Sequence, residues 1–212
     1  MNKQEPFVVT ISREVGSGGH TVGRILAEKL NVRYLDKQLT QALEKQFSLS
    51  AEEIETLKGK KKNWLSDFIG KVAPVPTAKA LDLDPQYTRE AALNVTTDDI
   101  YATEVEILQG FAQMGSCVIA GRSGFHVFKN HPNTFNVFIS ASLPHRISRV
   151  VERQGLTEDQ AAKLIRSIDL ARENYIQRYA GVSRYDARNY DLALKADGHS
   201  EEQLASIILA CL

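Results

Sequence analysis

Between Arg13 and Thr21 the chain reads Arg13-Glu14-Val15-Gly16-Ser17-Gly18-Gly19-His20-Thr21. Gly16, Gly18 and Gly19 let the backbone curl until successive N–H groups point inward, and Ser17, His20 and Thr21 add polar side chains around the same turn. Such a turn binds an anion when a helix begins in it. The first N–H groups of a helix have no intrahelical acceptor, and the helix dipole places positive potential at that end. The Thr21 hydroxyl could reach a phosphate oxygen or a magnesium ion held by phosphate. Against the strict phosphate-loop pattern G-x-x-x-x-G-K-[ST], Arg13 falls at the first glycine position, Gly18 at the second, and Gly19 where lysine belongs. The match is partial, and a tight turn using its glycines only for packing has the same composition. Arg13, or His20 when protonated, could supply the missing positive charge; unperturbed imidazole is mostly neutral at pH 7.

Other residues of this kind lie further along. Arg122, in Gly121-Arg122-Ser123-Gly124, follows the apolar run Cys117-Val118-Ile119-Ala120. An arginine at the carboxyl end of a buried strand can grip a phosphate in a two-pronged fork, a geometry lysine cannot match. The plainer reading of Arg122 is a surface salt bridge. Arg146, Arg149 and Arg153 recur along one side of a helix, and Arg166, Arg172 and Arg178 follow with Tyr175 and Tyr179. Any one of these faces solvent more often than not; the cluster is the signal. Asp36 either orients a substrate hydroxyl or caps the helix that starts near Gln38.

The elements that must position these groups follow from periodicity. Phe7 to Ile11 is short, apolar and β-branched, as a strand buried on both faces requires. Val22, Ile25, Leu26 and Leu30 then recur at helical spacing. Further strands are predicted over Asn31–Asp36, Cys117–Ala120, Phe135–Ser140 and Leu192–Ala196. Helices are predicted over 38–58, from Thr97 (as N-cap) to about Met114, from Pro144, over 158–179 behind Thr157, and over 200–211. Ser50 with Glu53 suits a capping box. The run Lys58 to Lys62 beside Trp64 and Phe68 reads as a solvated face next to a packing helix, and Pro74 to Thr88 as a surface excursion. Alternating strands and helices imply a parallel sheet of five strands with helices on both sides.

A chain of 212 residues can bury a substantial core. With 26 basic and 26 acidic residues, nothing global attracts nucleic acid or a membrane surface, so a charged small molecule must be held by local arginines. Cys117 and Cys211 have no zinc-type spacing and fit a reducing, cytoplasmic setting. No stretch has the length of a membrane span, and residues 1–6 lack a signal-peptide core. None of these patterns specifies an oligomeric state.

The run Ile11 to Thr21 resembles the opening of the cytidylate kinase-like proteins, a branch of the P-loop nucleoside monophosphate kinases. The likeness continues at Tyr34-Leu35-Asp36-Lys37, at Val118-Ile119-Ala120-Gly121-Arg122, and from His131 to Tyr190-Asp191; it is faintest between about Phe47 and Asp98. The resemblance implies an α/β, three-layer P-loop NTPase fold with a helical acceptor-binding insertion and a helical lid. In that frame 1–37 holds the loop and first strands, 38–98 the insertion, 99–145 core, 146–183 the arginine-rich lid and 184–212 core, all in one kinase-like domain. It implies ATP and Mg²⁺ as cofactors and a small-molecule nucleotide, CMP or dCMP, as acceptor. Gly16, Ser17, Gly18, Gly19, His20 and Thr21 would cradle the nucleotide phosphates, with Thr21 on the metal. Arg13, Arg122, Arg153 and Arg172 would stabilise the transferring group, and Asp36, Arg122 and Arg178 would hold the acceptor, with Arg149 behind the lid contacts. Related cytidylate kinases carry Gly-Arg-Asp where this chain has Gly121-Arg122-Ser123. The readings left open are a nucleotide-binding protein without transfer activity and a kinase for a different small acceptor.

Overall fold

The computed structural model describes residues 1–36 and 96–212. Readings that fall between Lys37 and Val95 (the 38–58 helix, the Ser50 capping box, the basic run at Lys58 and the proline-rich excursion) lie outside the described residues. The chain forms two compact units, Met1–Asp36 with Leu108–Leu212, and Lys37–Ile107.

The larger unit is built on strands β1 (Val8–Arg13), β2 (Arg33–Leu35), β3 (Cys117–Ala120), β4 (Thr134–Ser140) and β5 (Leu192–Lys195). All are parallel, in the order β2-β3-β1-β4-β5. Ile11 of the central strand is aligned with Ala120 on one side and Val137 on the other. Every β1 residue from Val8 to Ser12 is buried, as the uninterrupted apolar run requires.

Helix α1 (Gly19–Leu30) follows the glycine turn and ends at Asn31 in the left-handed conformation. α2 (Thr97–Gln113) crosses the boundary between the units; its cap is Thr96, not the expected Thr97. The Thr96 hydroxyl accepts the Asp99 N–H at 3.1 Å and the Asp99 carboxylate accepts the Thr96 N–H at 2.8 Å, a reciprocal arrangement that Thr97 would break. α3 (Gly124–Val127) is a single short turn. α4 (Leu143–Gln154) starts one residue before Pro144 because Ser142 caps it. α5 (Glu158–Ala180) and α6 (Glu201–Cys211) open with capping boxes on Thr157 and Ser200.

One face of the sheet buries Val9, Ile11, Val118, Val137 and Ile139 against Val22 and Leu26 of α1 and Leu204 and Ile208 of α6. On the other face Phe138 stacks on Tyr190 at 5.1 Å, and Phe125 of α3 packs on the same ring at 5.2 Å. A second apolar cluster joins α4 to α5 through Val150, Ala161 and Ile165, and Val15 of the glycine turn packs into it. The turn is therefore fastened by hydrophobic contact to the arginine-bearing helices. Leu204, 1% exposed, sits where α6 meets the sheet. Leu204→Ala should cost about 2–5 kcal/mol of stability, read from the urea midpoint of the full chain.

Candidate active site

The site is assembled where β1 gives way to α1. The Glu14 N–H donates to Ile139 O at 3.1 Å, extending the ladder one residue past β1. The chain then turns back, with the Ser17 N–H (3.3 Å) and Ser17 hydroxyl (2.9 Å) both donating to Glu14 O. Gly16 must be glycine: its φ is +83°, and a Cβ would lie 2.7 Å from Arg146 O. Gly18, also at +83°, caps α1 without any side-chain acceptor. Val22 makes the first bond of the α1 ladder, its N–H donating to Gly18 O at 3.1 Å. The N–H groups of Gly19, His20 and Thr21 precede it in the first turn and have no intrahelical acceptor. Free first-turn N–H groups of this kind are what an anion site at a helix N-terminus uses. Thr21, half-buried, carries its hydroxyl on the same turn.

Arg13 closes one side of it. A Cβ on Gly19 would lie 2.6 Å from Arg13 Cβ, and one on Gly121 would lie 1.8 Å from Arg13 Nη1. The side chain therefore runs from the base of α1 across to the end of β3, through space that two missing methyl groups leave open. Burial holds the Arg13 guanidinium below the ordinary arginine range; Asp36 and Tyr34 pull it back up, and Arg122 and Arg184 add to the depression. An arginine so shifted still carries its proton at neutral pH.

Arg122 stands beside it in a strained turn. Gly121, Arg122 and Ser123 have φ of +73°, +56° and +55°, a conformation that costs a non-glycine residue about 1–2 kcal/mol. Strain of this kind gathers at ligand sites. The Ser123 hydroxyl is buried and has no hydrogen-bond partner among the described residues.

The helical arginines separate. Arg146 is committed to carboxylates, at 2.6 Å from Asp169 and 3.6 Å from Glu14. Arg149 pairs closely with Glu201 of α6, and Arg153 lies 3.8 Å from the same oxygen. That ion cluster touches the loop: a Cβ on Gly18 would lie 3.3 Å from Arg149 Nη2 and from Glu201 Cγ. Arg172 reaches the loop entrance, donating to Arg13 O at 3.5 Å. Arg178 is exposed, over the Tyr179 ring at 5.3 Å, and about 9 Å further along the α5 axis than Arg172.

His20 and Asp36 find each other. His20 Nε2 lies 2.9 Å from Asp36 Oδ2, and the Tyr34 hydroxyl donates to His20 O at 3.0 Å. Burial pushes the His20 pKa below the ordinary value, and Arg13 pushes the same way, while Asp36 opposes both. The positive charge near the glycine turn at neutral pH thus comes from Arg13 rather than His20.

Sequence reasoning passed over Glu14, Asp169 and Arg184. The Glu14 carboxylate accepts the Ala141 N–H at 3.0 Å. Arg184, 4% exposed, donates through Nη2 to Arg13 O. A signal for Asp169 did exist: it follows Ala161 and Ile165 at four-residue spacing, a charge on an apolar stripe. Among the described residues no group of three metal-binding side chains occurs. A cleft of about 330 Å³ lined by Phe125, His126, Asn136, Arg188, Tyr190 and Asp191 contains none of the candidate site residues.

A parallel sheet of this order, with a glycine turn feeding a helix at the carboxyl end of its central strand, defines a P-loop kinase fold. The chain belongs to the cytidylate kinase-like family, whose model matches residues 8–197. It is 26% identical to a cytidylate kinase of Methanocorpusculum labreanum, over 96% of this chain and 95% of that one. To a cytidylate kinase of Pyrococcus horikoshii it is 23% identical, over 99% and 90%. Among solved structures it matches a protein of Eubacterium ventriosum with TM-score 0.66 at 22% identity, covering 97% of each chain. It matches a shikimate kinase of Bacteroides thetaiotaomicron with TM-score 0.52 at 16% identity, covering 97% and 96%. Among the described residues no helix is long and apolar enough to cross a membrane.

Two measurements follow from the geometry. Gly121→Ala should leave the fold intact at a cost of about 1–2 kcal/mol while displacing the Arg13 guanidinium, so ATP binding by calorimetry should weaken by about ten-fold or more. In an NMR titration His20 should have its midpoint below the ordinary 6.5, and Asp36→Asn should lower it further, because the carboxylate is what raises it. A depressed histidine pKa makes the associated stability full above pH 6.5 and lost as pH falls through the folded-state value.

Proposed function

We propose that this protein transfers the γ-phosphoryl group of ATP to a small nucleotide, CMP or dCMP first among them, through a phosphate loop in which Arg13 stands in for the usual lysine. The observation that carries this reading is the row of first-turn N–H groups at Gly19, His20 and Thr21, flanked by a guanidinium laid across Gly121. The family membership and the names of the relatives support the reaction class.

In this reading the chain's own groups bind and orient; no side chain forms a bond to phosphorus. The loop amides hold donor phosphate oxygens, and Arg13 neutralises the charge that spreads over equatorial oxygens as the phosphoryl group moves. Arg122 grips the acceptor phosphate in a fork. Arg172 and Arg153 add positive potential from α5 and α4, and Arg178 and Asp36 contact the acceptor. Thr21 would hold Mg²⁺, which when bound would supply neutralising positive charge to the phosphates. The two thiols, Cys117 and Cys211, are free, as a cytoplasmic enzyme permits.

A second reading, nucleotide binding without transfer, is favoured by Ser123, which places a hydroxyl instead of a carboxylate beside Arg122. The deciding experiment is an ADP-release screen with MgATP against nucleoside monophosphates and small alcohols. Release with CMP or dCMP is the expected result. ATP that binds by calorimetry but is not consumed with any acceptor in the panel selects the second reading. Arg13→Ala and Arg122→Ala should each lower turnover by about 100- to 1,000-fold with an unchanged circular dichroism spectrum; unchanged turnover in both would remove the assignment.

A further inference from the structure

Asp169 lies on the buried side of α5 and is 6% exposed. A carboxylate in that position is costly unless it is paired and hydrogen-bonded. Its Oδ1 accepts the Val15 N–H at 3.1 Å, its Oδ2 accepts from Arg146 Nη1 at 2.6 Å, and Arg184 Nη1 stands 3.6 Å from Oδ1. Each arginine then reaches the loop by a second prong. Arg184 donates to Arg13 O, and Arg146 Nη2 lies 3.6 Å from the Glu14 carboxylate. Arg13, Glu14 and Val15, the residues that lead into the glycine turn, are therefore each held by Asp169 or by an arginine that Asp169 neutralises. The Val15 side chain packs into the apolar cluster between α4 and α5, so charge and packing fasten the same segment.

We propose that Asp169 is a positioning residue of the phosphate site: its charge fixes the entrance of the loop so that the first-turn amides of α1 face the bound anion. The inference rests on the phosphate-binding reading above. In this proposal Asp169 acts through Val15, Arg146 and Arg184 and not by contact with a nucleotide. A buried ion cluster that served stability alone would lower the melting temperature on mutation and leave the nucleotide affinity of the folded protein where it was. A cluster that sets the loop changes donor affinity and leaves acceptor affinity nearly alone.

Asp169→Asn separates these outcomes, because the amide keeps the size and an acceptor for the Val15 N–H while removing the charge. The full-length protein is titrated with ATP by calorimetry, and the acceptor KM is measured on the same samples. The expected result is ATP binding weakened about ten-fold or more, with acceptor KM changed by less than about two-fold. Arg184→Lys, which keeps a charge beside Asp169 but cannot fork between it and Arg13 O, should weaken ATP binding in the same direction. If Asp169→Asn binds ATP within about two-fold of the wild type, the inference is overturned even if stability falls. Should that variant fail to fold, Arg184→Lys decides by the same threshold. A wild-type protein that binds no ATP overturns the phosphate-loop reading itself, and the inference with it.

Discussion

Arg13 carries its charge into a space walled by Gly19 on one side and Gly121 on the other, and the desolvation this imposes has to be repaid nearby. Tyr34 and Asp36 lie close enough to favour the charged form, while Arg122 and Arg184 oppose it. The fork geometry of guanidinium suits a crowded, partly dry site better than an ammonium would, since its charge is delocalised and more weakly hydrated. The same two glycines explain the departure from the usual phosphate-loop pattern. A side chain at Gly19, where lysine ordinarily stands, would collide with the Arg13 stem. The arginine and the glycine are one structural choice.

Several guanidiniums cannot converge without carboxylates among them. Glu14, Asp169 and Glu201 provide these, and they divide the arginines by role. Arg146 and Arg184 are built into the scaffold, and Arg149 with Arg153 leans on Glu201 against Gly18. Arg13, Arg122 and Arg172 gather at the carboxyl end of β1 and β3. Local excess of positive charge in a site of reduced dielectric is what a phosphoryl group gaining charge in its transition state requires. A chain with no net charge overall can supply it because like charges are concentrated there and balanced elsewhere.

The architecture narrows the acceptor less than it narrows the reaction. A shikimate kinase shares the fold at a TM-score of 0.52, and a scaffold of this kind hosts different acceptors by changing the groups grafted on it. In this chain the carboxyl edge of the parallel sheet carries the N-terminus of α1, with α4 and α5 packed beside that edge through Val15.

By itself the sequence determined the five strands and the helices at Gly19, Leu143, Glu158 and Glu201. These are local: they follow from apolar runs, capping residues and glycine spacing, which act over a few neighbouring residues. Even the small errors were local: α4 starts at Leu143 behind Ser142 and not at Pro144, and Thr96 takes the cap that Thr97 suggested. Which arginine faces the site was decided by tertiary structure alone. Arg146, Arg153 and Arg172 look alike on a helical face, and only the carboxylates brought near by folding, from residues such as Glu14, Asp169 and Glu201, sort them. Arg184 and Asp169 lie far from the glycine turn in sequence and meet it only through the packed helices. Long-range pairing depends on where the sheet places its ends, and no periodicity in the chain records that.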